Sequence, residues 1–407
     1  MKRRNFLKIG AVATVGGSLL PNNHFATYAH PANQFSEMQA YSELDKHKIE
    51  RCELVEIDYH WPRFVGKNGK IDFHGQNHKC TVLKIYTDQG AMGWGLSGNR
   101  AKGLFHFIEN KKVSELINPK LGLINVGLDQ TIEFALFDLC GIILNQPVYK
   151  LLGNNGTKET PIYSGMIYLD ELNPENKSKN LDIILKNCEW DYNYGYRQFK
   201  IKIGRSGRWY PHAEGLDKDI EVTRLIYQSF KDRNTELLVD ANDMYDLKDT
   251  IHFLKGINNI PLVWVEEPFK EKINEGRELR KWMDINGYEK TLYADGEADP
   301  DFDVCLSLGK EKVLNVFLPD IYDYGFSRWI NLMGELKKIG MTSSPHAWGN
   351  LLKTRYTIHL AAGIGNVVTI EGVTCLSDDI YYGDYPIING KVQVSDLPGF
   401  GMKLLKK

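Results

Sequence analysis

The chain has 407 residues and a formal net charge of −2. This near balance gives no electrostatic footprint for nucleic acid or an anionic membrane surface, so we expect neither as a partner. The length exceeds that of one small domain and suits a barrel of about 200 to 250 residues plus a second domain. The six cysteines are scattered without a CxxC pair, which argues against a zinc or redox motif.

The N-terminus resembles an export signal of the twin-arginine type. Arg3 and Arg4 open the run RRNFLK, and a mildly apolar, glycine-containing stretch follows over residues 9–20. Small residues at Thr27 and Ala29 suit a cleavage site. The apolar stretch is shorter than the roughly 20 residues of a membrane span, so we expect no membrane insertion. We predict a signal peptide over residues 1–29, a linker over 30–46 and export to the periplasm; an ordinary basic arm is the alternative.

The next part of the chain predicts a small α+β domain over residues 47–158. Residues 49–59 and 80–87 are rich in β-branched and aromatic side chains, and Gly90, Gly93 and Gly95 provide turn signals. Apolar residues then recur at helical spacing over residues 127–152. Strands are therefore expected before helices in this domain.

From residue 159 to residue 375 the pattern favours repeated parallel βα units. Short apolar strands alternate there with longer amphipathic stretches. The first predicted strand covers residues 162–168 and the eighth covers 367–371. The six between them are the runs FKIKIG, LLVDAN, VWVEEP, TLYADGE, VFLPD and TSSPH. Eight such strands fit a closed barrel, and residues 376–407 remain as a C-terminal segment.

Each of the six central runs contains ionisable residues at its end. In barrels of this kind the catalytic groups collect at the carboxyl ends of the strands, so the series predicts one active site built from several strands. The residues concerned are Lys200, Lys202, Asp240, Glu266, Glu297, Asp320 and His346.

Three acidic residues among them predict a metal site. Asp240, Glu266 and Glu297 offer hard oxygen ligands, which suit Mg²⁺. Glu266 is preferred to its neighbour Glu267 because strand alternation sends the two to opposite sides. Asp295 and Glu297 are two apart and expected to share a face, so either could be the third ligand; Glu297 lies nearer the strand end. Each carboxylate alone could instead cap the following helix.

The remaining residues predict two acid/base groups. Lys200 and Lys202 share a strand face, and like-charge proximity with partial burial would lower the pKa of Lys202 until it can act as a base. Asp320 could accept the Nδ1–H of His346 and make that pair a second acid/base group. The alternatives are an exposed KxK edge and a structural histidine.

The ordered set KxK, DxN, EEP, GE, PD and PH, with a final acidic strand, resembles the enolase superfamily in its mandelate racemase subgroup. The resemblance covers nearly everything after about residue 47, including ALFDLCGIILNQPVYKLLGN. It implies an α/β fold, a modified (β/α)₇β TIM-like barrel under an N-terminal α+β capping domain, with the C-terminal segment packing back on the cap. It also implies one Mg²⁺ per subunit, held by Asp240, Glu266 and Glu297, and a homo-oligomer.

The same resemblance assigns roles to the other residues. Lys202 and the His346–Asp320 pair would be the acid/base groups. Lys200 would contact the substrate carboxylate, and Glu371 would hydrogen-bond one of its oxygens. The implied first step removes the proton α to a carboxylate and forms an enediolate.

We favour dehydration of a sugar acid to a 2-keto-3-deoxy acid, because the loop over residues 59–78 is rich in polar side chains. His60 and Arg63 of that region, with Trp348 beyond His346, are the predicted substrate contacts. A racemase, epimerase or cycloisomerase would use the same groups, and a non-catalytic sugar-acid binding protein is a further alternative. A muconate-cycloisomerase-like enzyme would carry a lysine where this chain has Asp320. The loop over residues 205–217 could contact substrate or a second subunit.

Overall fold

The computed structural model describes residues 42–124, 127–174, 176 and 180–406. The predicted signal peptide and most of the predicted linker lie outside these residues. The described chain forms an N-terminal α+β cap and a parallel barrel surrounded by helices.

The cap is built on a three-stranded antiparallel sheet in the order β1-β2-β3. Its strands are β1 (Ile49–Val65), β2 (Gly75–Thr87) and β3 (Met92–Ser97). The short elements α1 (Phe105–Ile108), α2 (Val113–Leu116), β4 (Ile117–Asn118) and β5 (Gly122–Leu123) follow. The long helix α3 (Gln130–Leu144) and the short α4 (Val148–Leu151) complete the cap.

Two glycines bring α3 close to the sheet. The sequence predicts a turn at Gly93 and Gly95, but both residues lie inside β3. A Cβ at Gly93 would lie 2.4 Å from the Leu139 nitrogen, and one at Gly95 would lie 2.7 Å from the Phe134 carbonyl carbon. The missing side chains therefore let the helix backbone pack directly on the strand.

The barrel contains eight parallel strands among the described residues. They are β6 (Glu159–Ile167), β7 (Gln198–Lys202), β8 (Glu236–Asp240), β9 (Leu262–Glu266), β10 (Leu292–Asp295), β11 (Val316–Phe317), β12 (Thr342–Ser343) and β13 (Ile370–Gly372). Neighbours in sequence pair from β6 to β12, and β13 pairs with β6. A parallel bridge between Ser343 and Val367 joins β12 to the chain just before β13. The sheet thus closes, and the predicted strands are confirmed.

One long helix lies between each pair of successive barrel strands. These helices are α5 (Asp182–Tyr194), α6 (His212–Phe230), α7 (Leu247–Ile257), α8 (Ile273–Ile285), α9 (Phe302–Lys310), α10 (Phe326–Ile339) and α11 (Leu351–Ile364). The architecture is therefore the predicted (β/α)₇β barrel. In the described part of the chain, no helix combines the length and apolar character needed to cross a membrane.

Alternation along the strands separates the barrel interior from its helical shell. Phe199 and Ile201 of β7 pack outward in a cluster with α5 and α6, and the Phe199 ring lies edge-on to Phe230 at 5.3 Å. Lys200 and Lys202 therefore point into the barrel. Below them an apolar plug fills the interior. Its buried members are Tyr163, Leu238, Trp264, Ala294, Val316 and Leu318.

The C-terminal segment contacts both the cap and the barrel. Its strands are β14 (Ile380–Tyr381), β15 (Ile387–Ile388), β16 (Lys391–Gln393) and β17 (Lys403–Leu404). β16 pairs antiparallel with β6, and β14 pairs with β17. On the cap, the Phe400 N–H donates to Asp138 of α3 at 2.9 Å. Leu376 forms a bridge with His60 of β1.

Candidate active site

The strand register places the functional side chains at one level of the barrel. Lys202 of β7 pairs with Asp240 of β8, and Asp240 pairs with Glu266 of β9. All three are the last residues of their strands. Because parallel strands present their carboxyl ends at the same edge, these side chains meet in one place.

Three carboxylates form the centre of the site. Asp240, Glu266 and Glu297 each offer an oxygen, and these oxygens lie within 4.8 Å of one another. Asp240 and Glu266 are buried, and the Glu297 side chain is 15% exposed. Glu297 Oε2 is buried without a hydrogen-bond partner in the described chain. This set of converging hard oxygens with an unpartnered ligand atom fits a Mg²⁺ ion.

The structure identifies Glu297 rather than Asp295 as the third carboxylate of the cluster, for a different reason from the one that the sequence suggests. β10 ends at Asp295, and Gly296 follows with a φ of +107°, so strand alternation does not continue to Glu297. Asp295 is buried and accepts a hydrogen bond from the Tyr293 hydroxyl at 2.9 Å. The expectation that the two acids share a face is wrong, because the turn at Gly296 alone brings Glu297 to the other carboxylates.

Glu267, the second glutamate of the EEP run, supports the three carboxylates of the proposed metal site. Glu267 is buried with a φ of +39°, a left-handed conformation that is uncommon for a non-glycine residue. Its Oε1 accepts a hydrogen bond from the Glu297 backbone N–H at 3.0 Å. Strand alternation predicts that Glu267 turns away from the ligands, but it does not predict this link to the next strand end.

Both lysines are tied to the carboxylates. Lys200 Nζ lies 2.8 Å from Glu266 Oε1 and 3.0 Å from Glu371 Oε1, and Lys202 Nζ donates to Asp240. Burial is the largest influence and disfavours the charge on each lysine, but the anionic partners together outweigh it, led by Glu266 for Lys200 and by Asp240 for Lys202, and both pKa values are raised. The sequence predicts a lowered pKa for Lys202. With no cation at the carboxylates the direction is the opposite, because Asp240 and its neighbours stabilise the charged ammonium.

His346 and Asp320 form the predicted pair. His346 Nδ1 lies 2.8 Å from Asp320 Oδ2, which leaves Nε2 facing the site, 3.5 Å from Glu297 Oε2. Burial opposes protonation of the imidazole, but Glu297, Glu371 and Asp320 together raise the pKa of His346 to about 9. The ring therefore sits at the edge of the carboxylate cluster as a potential proton donor.

Lys353 is a further member of this group that the sequence does not reveal. It lies in the first turn of α11, and its Nζ is 2.8 Å from Asp320 Oδ2, the same oxygen that His346 contacts. Two cationic partners thus share one carboxylate. No strand-end pattern points to Lys353, since it comes from a helix rather than from a strand.

Glu371 completes the ring of charges from the last strand. Its Oε1 contacts Lys200, and its Oε2 accepts the Ala347 N–H at 2.7 Å. Burial raises the pKa of this carboxyl, but Lys200, His346 and Lys202 outweigh burial and lower the pKa to about 2. Glu371 therefore lies between the lysine side and the histidine side of the site.

The cap contributes differently from the prediction. The two terminal nitrogens of Arg63 pair with Asp191 of α5 at 2.7 and 2.8 Å, and one also donates to the Met166 carbonyl. His60 is exposed, on the opposite face of β1 from the buried Trp61. The predicted substrate contacts at His60 and Arg63 are thus not brought to the carboxylates.

Aromatic side chains form the cap-side wall instead. Trp348 lies 5.2 Å from Trp61 and 4.9 Å from Tyr168 between ring centres. The Tyr168 ring in turn lies 5.6 Å from Lys202 Nζ. Trp348 also lines a cavity of about 450 Å³ together with Glu297, Asp320, His346 and Lys353. Of the three predicted substrate contacts, Trp348 is the one placed at this cavity.

Known proteins share this fold and sequence pattern. A family model described as "Enolase C-terminal domain-like" matches residues 185–407, which is more than half of the chain. An arabinonate dehydratase of Saccharolobus solfataricus is 24% identical over 277 residues, covering 66% of this chain and 68% of that protein. An N-succinyl-L-Arg/Lys racemase of Bacillus cereus is 24% identical over 208 residues, covering 46% of this chain and about half (51%) of the racemase.

Solved structures agree with these matches. A galacturonate dehydratase from Geobacillus sp., complexed with D-galacturonate and 5-keto-4-deoxy-D-galacturonate, has a TM-score of 0.82 at 27% identity, covering 88% of this chain and 95% of that one. A variant of a galacturonate dehydratase from Geobacillus sp., complexed with Mg, has the same TM-score at 26% identity, covering 89% and 94%. The chain belongs to the enolase C-terminal domain-like family, and it is an enzyme whose relatives include sugar-acid dehydratases and a racemase.

Proposed function

We propose that the protein is a Mg²⁺-dependent dehydratase of sugar acids that forms 2-keto-3-deoxy acids. The observation that carries the proposal is the placement of two acid/base groups at different carboxylates of one cluster. Lys202 contacts Asp240, whereas His346 lies next to Glu297. The two groups come from β7 and from the residues after β12, which are not neighbouring strands.

Asp240, Glu266 and Glu297 would hold the metal ion. Bound there, Mg²⁺ would supply Lewis-acid stabilisation of the negative charge that develops on the substrate carboxylate. At these oxygens it would also compete with the two ammonium groups, and the pKa of Lys202 would then fall toward the range in which a lysine accepts a proton.

The chain's own residues account for the proton transfers. Lys202 Nζ takes the proton from the carbon α to the carboxylate. Lys200 donates to a carboxylate oxygen as an enediolate forms, and Glu371 orients the Lys200 ammonium for this contact. His346 Nε2–H then donates its proton to the β-hydroxyl as the carbon–oxygen bond breaks and water leaves. The enol that remains becomes a 2-keto-3-deoxy acid.

A racemase or epimerase is the second candidate, because it needs the same two groups and one relative is a racemase. In that reaction His346 would return a proton to carbon instead of to a hydroxyl. The dehydratase is favoured because the arabinonate dehydratase match covers 66% of this chain against 46% for the Bacillus cereus racemase, and a galacturonate dehydratase structure matches with a TM-score of 0.82. The two reactions differ in product.

Incubation in ²H₂O with Mg²⁺ tests the proposal. The probes are D-arabinonate, D-gluconate, D-galactonate, D-xylonate and D-galacturonate, and the readouts are keto-acid formation and deuterium at the α-carbon. We expect a keto product from at least one acid. Exchange at the α-carbon without any keto product would contradict dehydration and favour the racemase.

Two variants test the acid/base assignment. Lys202→Ala and His346→Asn are each expected to lose about 10²-fold or more of the dehydration rate, the usual contribution of a general acid or base. Lys338→Ala, at an exposed position of α10, is the matched control and should keep wild-type activity. Wild-type rates in both site variants would refute the assignment.

A further inference from the structure

His74 lies at the cap-side wall of the site, where no role has been assigned to it. It immediately precedes β2, and its ring is edge-on to Tyr168 at 4.7 Å and to Trp348 at 5.8 Å between centres. Tyr168 lies against Lys202, and Trp348 lines the cavity that also contains His346. His74 is thus connected through the Tyr168 ring to Lys202 and through the Trp348 ring to the cavity that contains His346.

The hydrogen bonding of His74 defines its tautomer. Its Nδ1 lies 2.7 Å from the Gly66 carbonyl oxygen, which can only accept, so Nδ1 carries the proton. Nε2 has no hydrogen-bond partner among the described residues, so it presents a lone pair. Burial, together with the charge of Lys202, lowers the pKa of His74 and keeps the ring neutral.

The carbonyl that orients His74 is itself held in place. The Gly66 N–H donates to Asp170 Oδ1 at 2.9 Å, and a Cβ at Gly66 would lie 2.7 Å from that oxygen. Asp170 is buried and also accepts from Asn187 of α5. The direction of the His74 ring is therefore set by a chain of contacts that begins on the barrel.

A hydrogen-bond acceptor is what the cap-side wall otherwise lacks among the described residues, since the exposed carboxylates at the cavity, Asp299 and Asp323, lie on loops that follow barrel strands. Lys200, Lys202 and Lys353 are donors, and the carboxylates at the centre are paired with them or converge on the metal position. A sugar acid brings hydroxyl groups that must donate as well as accept. A hydroxyl left without an acceptor in a closed site weakens binding.

We propose that His74 Nε2 accepts a hydrogen bond from one hydroxyl of the substrate and so selects sugar acids that carry it. This inference rests on the proposed function, since it assumes a polyhydroxylated acid. It deepens that function by naming the residue that distinguishes a hydroxylated acid from its deoxy analogue. A site built to pair a hydroxyl discriminates strongly against the analogue that lacks it.

Two variants distinguish the contribution of the Nε2 acceptor from that of the aromatic ring of His74. His74→Phe keeps an aromatic ring beside Tyr168 and Trp348 but has no acceptor. His74→Asn can keep the donor to the Gly66 carbonyl but has no atom in the place of Nε2. The matched control is His252→Asn, an exposed position on α7. Thermal unfolding of all three variants establishes that they are folded.

The measurement is kcat and KM for the best acid of the panel above and for each of its monodeoxy analogues. We expect both His74 variants to lose about tenfold or more in kcat/KM on the full acid, mainly through KM. For the analogue lacking the recognised hydroxyl we expect no loss, because the contact is already missing. His252→Asn should match the wild type on every substrate.

An equal loss on the full acid and on every analogue, or no loss at all, would overturn the role of His74. If the wild-type enzyme shows neither a keto product nor α-deuterium exchange with any acid, the proposed function fails first. If the wild type is active but the His74 variants show no hydroxyl-dependent loss, only this inference fails. The two failures are therefore distinguishable.

Discussion

Glu267 links two of the strand ends that carry the carboxylate cluster. It follows Glu266 directly, and its Oε1 accepts the backbone N–H of Glu297. A residue that orients a metal ligand in this way contributes to metal affinity without touching the metal. Glu267 is therefore a positioning residue for the Mg²⁺ site proposed above.

Replacing Glu267 should weaken Mg²⁺ binding, and the effect should be larger when the new side chain cannot accept a hydrogen bond. We expect Glu267→Ala to lower the affinity by about tenfold or more, because Glu297 loses its support, and Glu267→Gln to have a smaller effect because its amide oxygen still accepts. Titration calorimetry with MgCl₂ measures this without substrate. Glu278→Ala on the exposed side of α8 is the control, and unchanged affinity in Glu267→Ala would refute the role.

The sequence predicts which residues form the site better than it predicts their pKa values and charged partners. Strand ends of a parallel barrel meet at one edge, so Asp240, Glu266 and Glu297 could be placed together before the fold was known. The raised pKa of Lys202 depends on partners from other strands, which no local pattern contains. The contact of Lys353 with Asp320 is invisible for the same reason, since it joins a helix to a distant strand end.

The long strand β1 is the element that joins the cap to the barrel at the site. In the irregular stretch between His60 and Val65, which both pair with β2, Arg63 reaches the barrel and pairs with Asp191 of α5. Asp191 is fully buried, and Ser164 of β6 donates to it at 2.6 Å. One guanidinium therefore fixes β1 to two barrel elements, and its function is structural.

Arg63→Met should destabilise the fold by about 3–5 kcal/mol, because the change leaves the buried Asp191 carboxylate without its counter-ion. Urea unfolding monitored by circular dichroism measures the loss. Arg233→Met is the matched control. Arg233 pairs at the surface with Glu189, which lies on α5 as Asp191 does, and such a surface pair contributes less than about 1 kcal/mol. A raised KM with unchanged stability in Arg63→Met would instead support the substrate contact that the sequence predicts.

Periodicity predicts the elements of this fold but not the loops that join them. The eight strands and the cap helix show regular spacing of apolar residues, and the structure confirms them. The loop after β7 shows no such spacing. In the structure the Trp209 indole donates to the Asn68 carbonyl and Arg208 donates to the Lys70 carbonyl, both at 2.6 Å. This loop holds the cap loop over the barrel, a contact between segments about 140 residues apart in sequence.

At the scale of the whole molecule, three separate parts of the chain meet around one buried histidine. His359 of α11 accepts the Tyr149 N–H at Nδ1 and contacts the Tyr385 hydroxyl through Nε2 at 2.6 Å. That hydroxyl donates to the Phe400 carbonyl. Tyr149 belongs to α4 of the cap, whereas Tyr385 and Phe400 belong to the C-terminal segment. The neutral imidazole uses one nitrogen as acceptor and the other as donor, and protonation would remove the acceptor.

This arrangement makes the stability of the protein depend on pH through His359. Burial, with the charge of Arg355, lowers the pKa of His359 to about 3, well below the value of about 6.5 in an unfolded chain. As pH falls through 6.5, the unfolded state binds a proton that the folded state does not. The contribution of the neutral ring is therefore complete above about pH 6.5 and decreases by about 1.4 kcal/mol per pH unit below it, down to about pH 3.

His359→Gln tests this dependence, because the amide can donate and accept but does not titrate. We expect the variant to be less stable than the wild type at pH 7, and the difference in unfolding free energy to shrink by about 1.4 kcal/mol for each pH unit from 6 to 4. Urea unfolding at each pH provides the measurement, and His252→Gln, which changes an exposed histidine, should follow the wild type. Parallel pH profiles for the wild type and His359→Gln would contradict the lowered pKa. Converging profiles would show that the contact of cap, barrel and C-terminal segment at His359 makes the stability depend on pH, because only the unfolded chain then binds the proton.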